Sequence, residues 1–187
     1  GLTLASSVVA QDLGKGLEAY NRGDYATALR EWIPLAERGN RNAQFNLGRM
    51  HENGKGMPQN DAKAISWYRK AAEQGHELAQ FNLGGIYRFS QSIPRDYTEA
   101  AHWYRKAAEQ GNEGAQLMLG SMHYSGRGLP QDDVLAHMWF SLAAAQGSSL
   151  ALKSRDIVAG RMSSGSISEA ERLSRECRAR DYKGCGS

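Results

Sequence analysis

Apolar positions recur along this chain on two scales. The short scale is helical: Ala43, Leu47 and Met50 stand at spacings of four and three, which puts them on one helical face. That segment runs to Asn53-Gly54, where glycine supplies a left-handed cap. "GKGMPQ" follows as a loop whose Pro58 blocks further helix. Asn60 then caps a second helix, expected to bury Ala64, Trp67, Tyr68 and Ala71 and to end at Gly75. The long scale is 36 residues: "WYRKAAEQG" at 67–75 returns unchanged at 103–111.

Cut at that period, the chain yields three aligned units, 41–76, 77–112 and 113–148. Ala43, Ala79 and Ala115 share a column, as do Leu47, Leu83 and Leu119, and Gly48, Gly84 and Gly120. The same holds for Pro58, Pro94 and Pro130, for Trp67, Trp103 and Trp139, and for Gly75, Gly111 and Gly147. Asn60, Asp96 and Asp132 stand in the capping column. Each unit reads as two helices, with small residues letting the backbones approach and an aromatic pair filling the wider gap. A shared period of this size predicts a solenoid, in which each unit packs on its neighbours. The flanks are weaker copies. Residues 11–40 keep Ala28, Ala36 and Gly39 and replace the long loop by a tight Gly23-Asp24 turn. Residues 149–187 form a degenerate cap, with helices expected at 149–162 and 167–180 and "SSGS" between them.

The pattern A-x-x-x-L-G, then G-x-G-x-P, then A-x-x-W-Y-x-x-A-A-x-x-G resembles the Sel-one-like repeat (SLR) family, relatives of tetratricopeptide repeats. The resemblance covers 41–148 strongly and about 16–187 loosely. It implies an all-α fold, a right-handed superhelical solenoid of antiparallel helix pairs forming one domain over 11–187. It also implies a concave face that binds protein segments, and a role as an exported adaptor of the bacterial cell envelope. The chain departs from the family in its middle loop, "RFSQSIPRD", where Ser90 and Ser92 replace the two glycines. The cysteine pair found within each repeat of some relatives is also missing.

Composition narrows the function. A net charge of +3 on 23 basic and 20 acidic residues, spread along the chain, lacks the dense basic stripe of a nucleic-acid binder. No stretch approaches the roughly 18 apolar residues of a membrane span. The opening "GLTLASSVVAQD" is apolar and small, with Val8 and Ala10 placed as in a small-x-small cleavage site. Residues 1–10 read either as the remnant of a secretory signal or as a disordered leader. The two cysteines, Cys177 and Cys185, predict one disulfide and, with the signal reading, a periplasmic or secreted protein.

Candidate chemistry is sparse. "GKGMP" and "GRGLP" lack the strand, helix and G-K-[ST] of a phosphate loop. His51 and His123 share a column with Tyr87, which marks packing, while His102 and His137 fall in different columns. His76 has no second histidine four residues on, so a zinc-protease pair is missing. No serine has a lysine three residues later and no G-x-S-x-G elbow exists. The expectation is therefore a non-enzymatic binding scaffold with no cofactor, metal or catalytic residue, monomeric, with a protein or peptide partner. An envelope enzyme or ligand-binding protein, cell-wall or β-lactam related, is the alternative. The expected partner-binding positions lie two, three and six residues after each column alanine, away from the packed seam. They are Phe45, Asn46 and Arg49, then Phe81, Asn82 and Gly85, then Leu117, Met118 and Ser121. Arg49, Gly85 and Ser121 differ most, as a surface tuned to one partner would. Phe45, Phe81 and Leu117 read equally well as core between repeats, and Asn46 and Asn82 can hold a peptide backbone through their amides.

Overall fold

A computed structural model describes residues 12–186 and contains, among them, ten helices and no strand. In chain order these are α1 (Leu13–Asn21), α2 (Tyr25–Glu37), α3 (Arg41–Asn53), α4 (Asp61–Glu73) and α5 (Glu77–Phe89). They continue with α6 (Tyr97–Ala108), α7 (Glu113–Ser125), α8 (Asp133–Ala145), α9 (Ser149–Ala159) and α10 (Ser164–Ala179). The signal or leader expected over residues 1–10 lies outside the described residues. The chain forms two compact units, Gly1–Gln74 with α1–α4 and Gly75–Ser187 with α5–α10.

The helix boundaries follow the capping chemistry of the repeat. Asn60, Asp96 and Asp132 each accept a hydrogen bond from the backbone N–H three residues on, at the start of α4, α6 and α8. Gly54 and Gly126 end α3 and α7 in the left-handed region, φ 63° and 67°, a geometry that disfavours residues with a Cβ. In the middle repeat Ser90 stands in that column, and α5 ends with an extended residue at φ −56° and ψ 145°. The departure from the G-x-G pattern thus changes how the chain leaves the helix.

In the first unit α1 packs on α2, α2 on α3 and α3 on α4. The core gathers Ala28, Trp32, Ala36, Ala43, Leu47 and Met50, all buried. In the second unit α5 pairs with α6, α7 with α8, and both α9 and α10 pack on α8. Here Leu119, Met122, Tyr104, Met138, Trp139 and Leu142 are buried together. The invariant glycine column has a steric cause. A Cβ on Gly48 would sit 2.5 Å from the Tyr68 ring, on Gly84 2.8 Å from Tyr104, and on Gly120 2.6 Å from Phe140. The ring of the second helix occupies the space that a Cβ on the first would need.

The tryptophan column is less uniform than its sequence. Trp103 and Trp139 are buried, at 5% and 0% exposure, whereas Trp67 is only half-buried and carries Lys70 over its ring at 4.3 Å. The burial expected of Trp67 is therefore partial. The C-terminal helices also differ from expectation: α9 stops at Ala159, and α10 starts at Ser164 with Ser163 accepting from Ser166 N–H. Most of "SSGS" is thus the first turn of α10, because serine at the cap position satisfies an orphan N–H.

Cys177 and Cys185 form a disulfide with a Cα separation of 5.5 Å. Both sulfurs belong to the core of the second unit beside Trp139. Arg105 on α6 donates to the carbonyls of Cys185 and Gly186, at 3.1 and 2.9 Å, and clamps the tail there.

Candidate protein-binding face

All nine positions expected to meet a partner are half-buried. Their neighbours distinguish them. In the first unit Phe45 stacks 5.7 Å from the Tyr68 ring, so this residue is partly core. The guanidinium of Arg49 lies 5.5 Å from the centroid of Tyr20 and 5.7 Å from that of Phe45. Arg49 is thus held between two rings rather than standing free in solvent. The Tyr68 hydroxyl donates to Glu52 at 2.6 Å, and burial, the largest influence, raises the Glu52 carboxyl above its usual range.

In the second unit Phe81 stacks 5.7 Å from Tyr104 and covers Gly114, where a Cβ would come within 2.9 Å of the ring. Burial pushes the Tyr104 hydroxyl up to about 12. Gly85 faces open space, since a Cβ there would find only the Tyr104 hydroxyl, at 3.9 Å. Leu117, Met118 and Ser121 line a groove of about 200 Å³ together with Phe140, Leu150 and Ile157 among others. Leu150 and Ile157 are 59% and 64% exposed. Arg88 reaches across from α5, donating to Met118 Sδ and Ser121 Oγ, each at 3.2 Å. A thioether and a hydroxyl are weak acceptors for a guanidinium, and no carboxylate among the described residues pairs with Arg88.

Sequence reasoning overlooked Arg88, Leu150 and Ile157, because one unit's column pattern cannot tell which neighbouring side chains reach over it. It also overlooked a buried amide ladder. Gln44, Gln80 and Gln116 are 4%, 4% and 0% exposed. They accept from Gln74, Gln110 and Gln146 at 2.7, 2.7 and 2.9 Å. Gln44 and Gln116 also donate to the carbonyls of Ala36 and Ala108. The signal was present, since both glutamine columns are identical in all three repeats.

His51 and His123 serve packing. His123 is 3% exposed with Nδ1 3.2 Å from the Pro130 carbonyl, and burial holds its pKa below the usual imidazole value. His51, half-buried, is lowered chiefly by burial as well, with Lys63 adding to the shift. His76 accepts from Ala79 N–H as the cap of α5, and His102 meets the Trp103 ring edge-on. No group of three or more metal-ligating side chains occurs among the described residues. No helix among them is long and apolar enough to cross a membrane.

Comparison with known families matches the Sel1 repeat at residues 41–76, 78–112 and 114–148. Among solved structures, a Sel1 repeat protein from Oxalobacter formigenes is 41% identical with a TM-score of 0.62, covering 69% of this chain and 97% of that one. A protective antigen present in uropathogenic Escherichia coli strains, displaying an SLR fold, is 28% identical with a TM-score of 0.58. That alignment covers 90% of this chain and 46% of the antigen, so the chain spans about half of that protein. Cysteine rich protein B of Helicobacter pylori, 23% identical over 70% of this chain and 93% of its own, shares the fold at a TM-score of 0.54. No curated protein matches the chain in sequence.

Proposed function

Because the chain belongs to the Sel1 repeat family, whose members are typically protein-interaction scaffolds, we propose that it is a non-catalytic adaptor of the bacterial cell envelope that grips a protein segment. The gripping surface is the outward side of the first helix of each repeat. In the first unit these positions are Phe45, Asn46 and Arg49 on α3; in the second they are Phe81, Asn82 and Gly85 on α5 and Leu117, Met118 and Ser121 on α7. The observation that carries this reading is the apolar groove of the second unit. Three of the nine positions line it, and two exposed large apolar side chains stand at its rim. Exposed apolar surface of that kind marks binding sites more often than ordinary surface. Arg88 beside it is a guanidinium without a carboxylate, and it suits a segment that carries an acidic residue next to its apolar anchor. The disulfide fits an oxidising compartment, periplasmic or extracellular.

Gly85→Arg tests this. The position has room for a side chain, so the substitution fills the surface without disturbing the core. Retrieval of the native partner from host envelope extract falls for Gly85→Arg and is kept by Lys63→Glu, an exposed change on α4. Loss with Lys63→Glu and retention with Gly85→Arg would place the partner elsewhere.

A further inference from the structure

The last three helices hold a second cleft, polar where the groove is apolar, and independent of the first-helix surface. It measures about 340 Å³ and lies among α8, α9 and α10. On α10, Glu171, Ser174, Arg175 and Arg178 follow at helical spacing, so one face carries all four. The neighbouring stripe, Ala170 and Cys177, is buried and does the packing. Of the four, Ser174 is buried with that stripe, and Glu171, Arg175 and Arg178 are exposed.

Arg155 enters the same cleft from α9 and His137 and Ser141 from α8. His137 is 3% exposed, and its Nδ1 lies 3.4 Å from Ser141 Oγ. Ser174 is 6% exposed, and its hydroxyl has no hydrogen-bond partner among the described residues. Arg155 shares its charge with the Asp156 carboxylate at 2.8 Å. Arg175 and Arg178 form no ion pair among the described residues, although Glu171 stands one turn from Arg175. Two exposed guanidinium groups without an ion pair among the described residues, Arg175 and Arg178, thus line one open cleft together with the Ser174 hydroxyl.

A carboxylate offers two oxygens, which a single guanidinium fork satisfies. A phosphate monoester offers three charged oxygens and can engage two forks and a hydroxyl donor at once. We propose that this cleft binds a small soluble phosphate monoester, its oxygens held by Arg175, Arg178 and the Ser174 hydroxyl. Glu171 on the same wall repels further negative charge and accepts from a hydroxyl, which favours a neutral, hydroxyl-bearing ligand body.

Calorimetric titration at low salt with inorganic phosphate, with glycerol 3-phosphate and with glycerol provides the test. Vesicles containing phosphatidic acid form a fourth arm, carrying the same headgroup chemistry on a surface. Saturable binding of glycerol 3-phosphate is expected, weaker binding of phosphate and none of glycerol. The double variant Arg175→Gln/Arg178→Gln loses about tenfold or more in affinity, as removal of two charge-assisted bonds requires. Ser174→Ala loses severalfold, and Lys153→Gln, an exposed cation on α9 outside the cleft, binds as wild type. If the double variant melts early, Arg175→Gln alone makes the comparison, since that side chain is exposed. Absence of saturation at millimolar ligand, binding confined to vesicles, an unaffected arginine variant, or equal loss with Lys153→Gln would each overturn the proposal. None of these results touches binding at α3, α5 or α7.

Discussion

Gly84→Ala and Gly85→Ala place the same methyl group on adjacent residues of one helix, and the first is expected to leave the protein less stable than the second. Each removes a glycine from a helix interior, which gains about 0.5–1 kcal/mol through the unfolded chain's lost freedom. At Gly85 nothing opposes that gain, because the new Cβ meets only the Tyr104 hydroxyl at 3.9 Å. At Gly84 the Cβ would lie 2.8 and 2.9 Å from two ring carbons of Tyr104 and 3.1 Å from the ring's root carbon. Tyr104 is 1% exposed, so the ring has nowhere to swing. Overpacking of this kind costs about 1–3 kcal/mol. Gly84→Ala is therefore net neutral to destabilising, by up to about 2.5 kcal/mol, and Gly85→Ala is stabilising. In a chain of this size the gap between the two corresponds to roughly 2–12 °C in melting temperature. Thermal melts followed by circular dichroism, with urea midpoints alongside, measure it. A Gly84→Ala protein as stable as the Gly85→Ala protein would refute the claim that bare backbone under the aromatic ring explains the glycine column.

Trp103→Ala should destabilise by about 3–5 kcal/mol, since a buried indole and its hydrogen bond to Glu99 are both removed; an unchanged melting temperature would contradict the packing described. Gln146→Leu strips the donor from the fully buried Gln116 amide and should cost about 1–3 kcal/mol in urea denaturation, against near-neutral effects for exposed changes nearby. Reduction of the disulfide should cost about 2.5 kcal/mol by the loop-entropy estimate, read as a lower urea midpoint in reductant; no shift would mean the tail is held without it. Burial is the chief cause lowering His123 and His137, so between their folded values and the unfolded 6.5 only the unfolded chain takes up protons. Amide exchange in α7 and α8 should therefore show stability complete above about pH 6.5 and falling as pH drops toward 5, and flat or rising protection would refute it.

The extent to which the sequence disclosed this fold depends on what each signal encodes. Helix caps act locally, so Asn60, Asp96, Asp132, Gly54 and Gly126 were legible as they stand. Column alanines and leucines were legible because a threefold repeat averages out accident. Trp67 was misjudged because identity of sequence does not guarantee identity of surroundings, and its ring is covered less than those of Trp103 and Trp139. The same reason hid the setting of Arg49: the rings that hold it, Tyr20 and Phe45, belong to different repeats. Arg88 and the paired arginines of α10 were invisible as sites because their meaning lies in what fails to pair with them, and that is a property of three-dimensional neighbours.

A protein segment is proposed to bind along the outward side of the first helices. Site-specific photo-crosslinking in the native host tests it most directly. A photoreactive residue is placed singly at 46, 82, 85, 118 and 121, and for comparison at the exposed positions 63, 153 and 172. One discrete protein adduct is expected from the first set, shared among several of the second unit's positions 82, 85, 118 and 121, and none from the comparison set. The same adduct arising from 63, 153 or 172, with the first-helix positions silent, would contradict it.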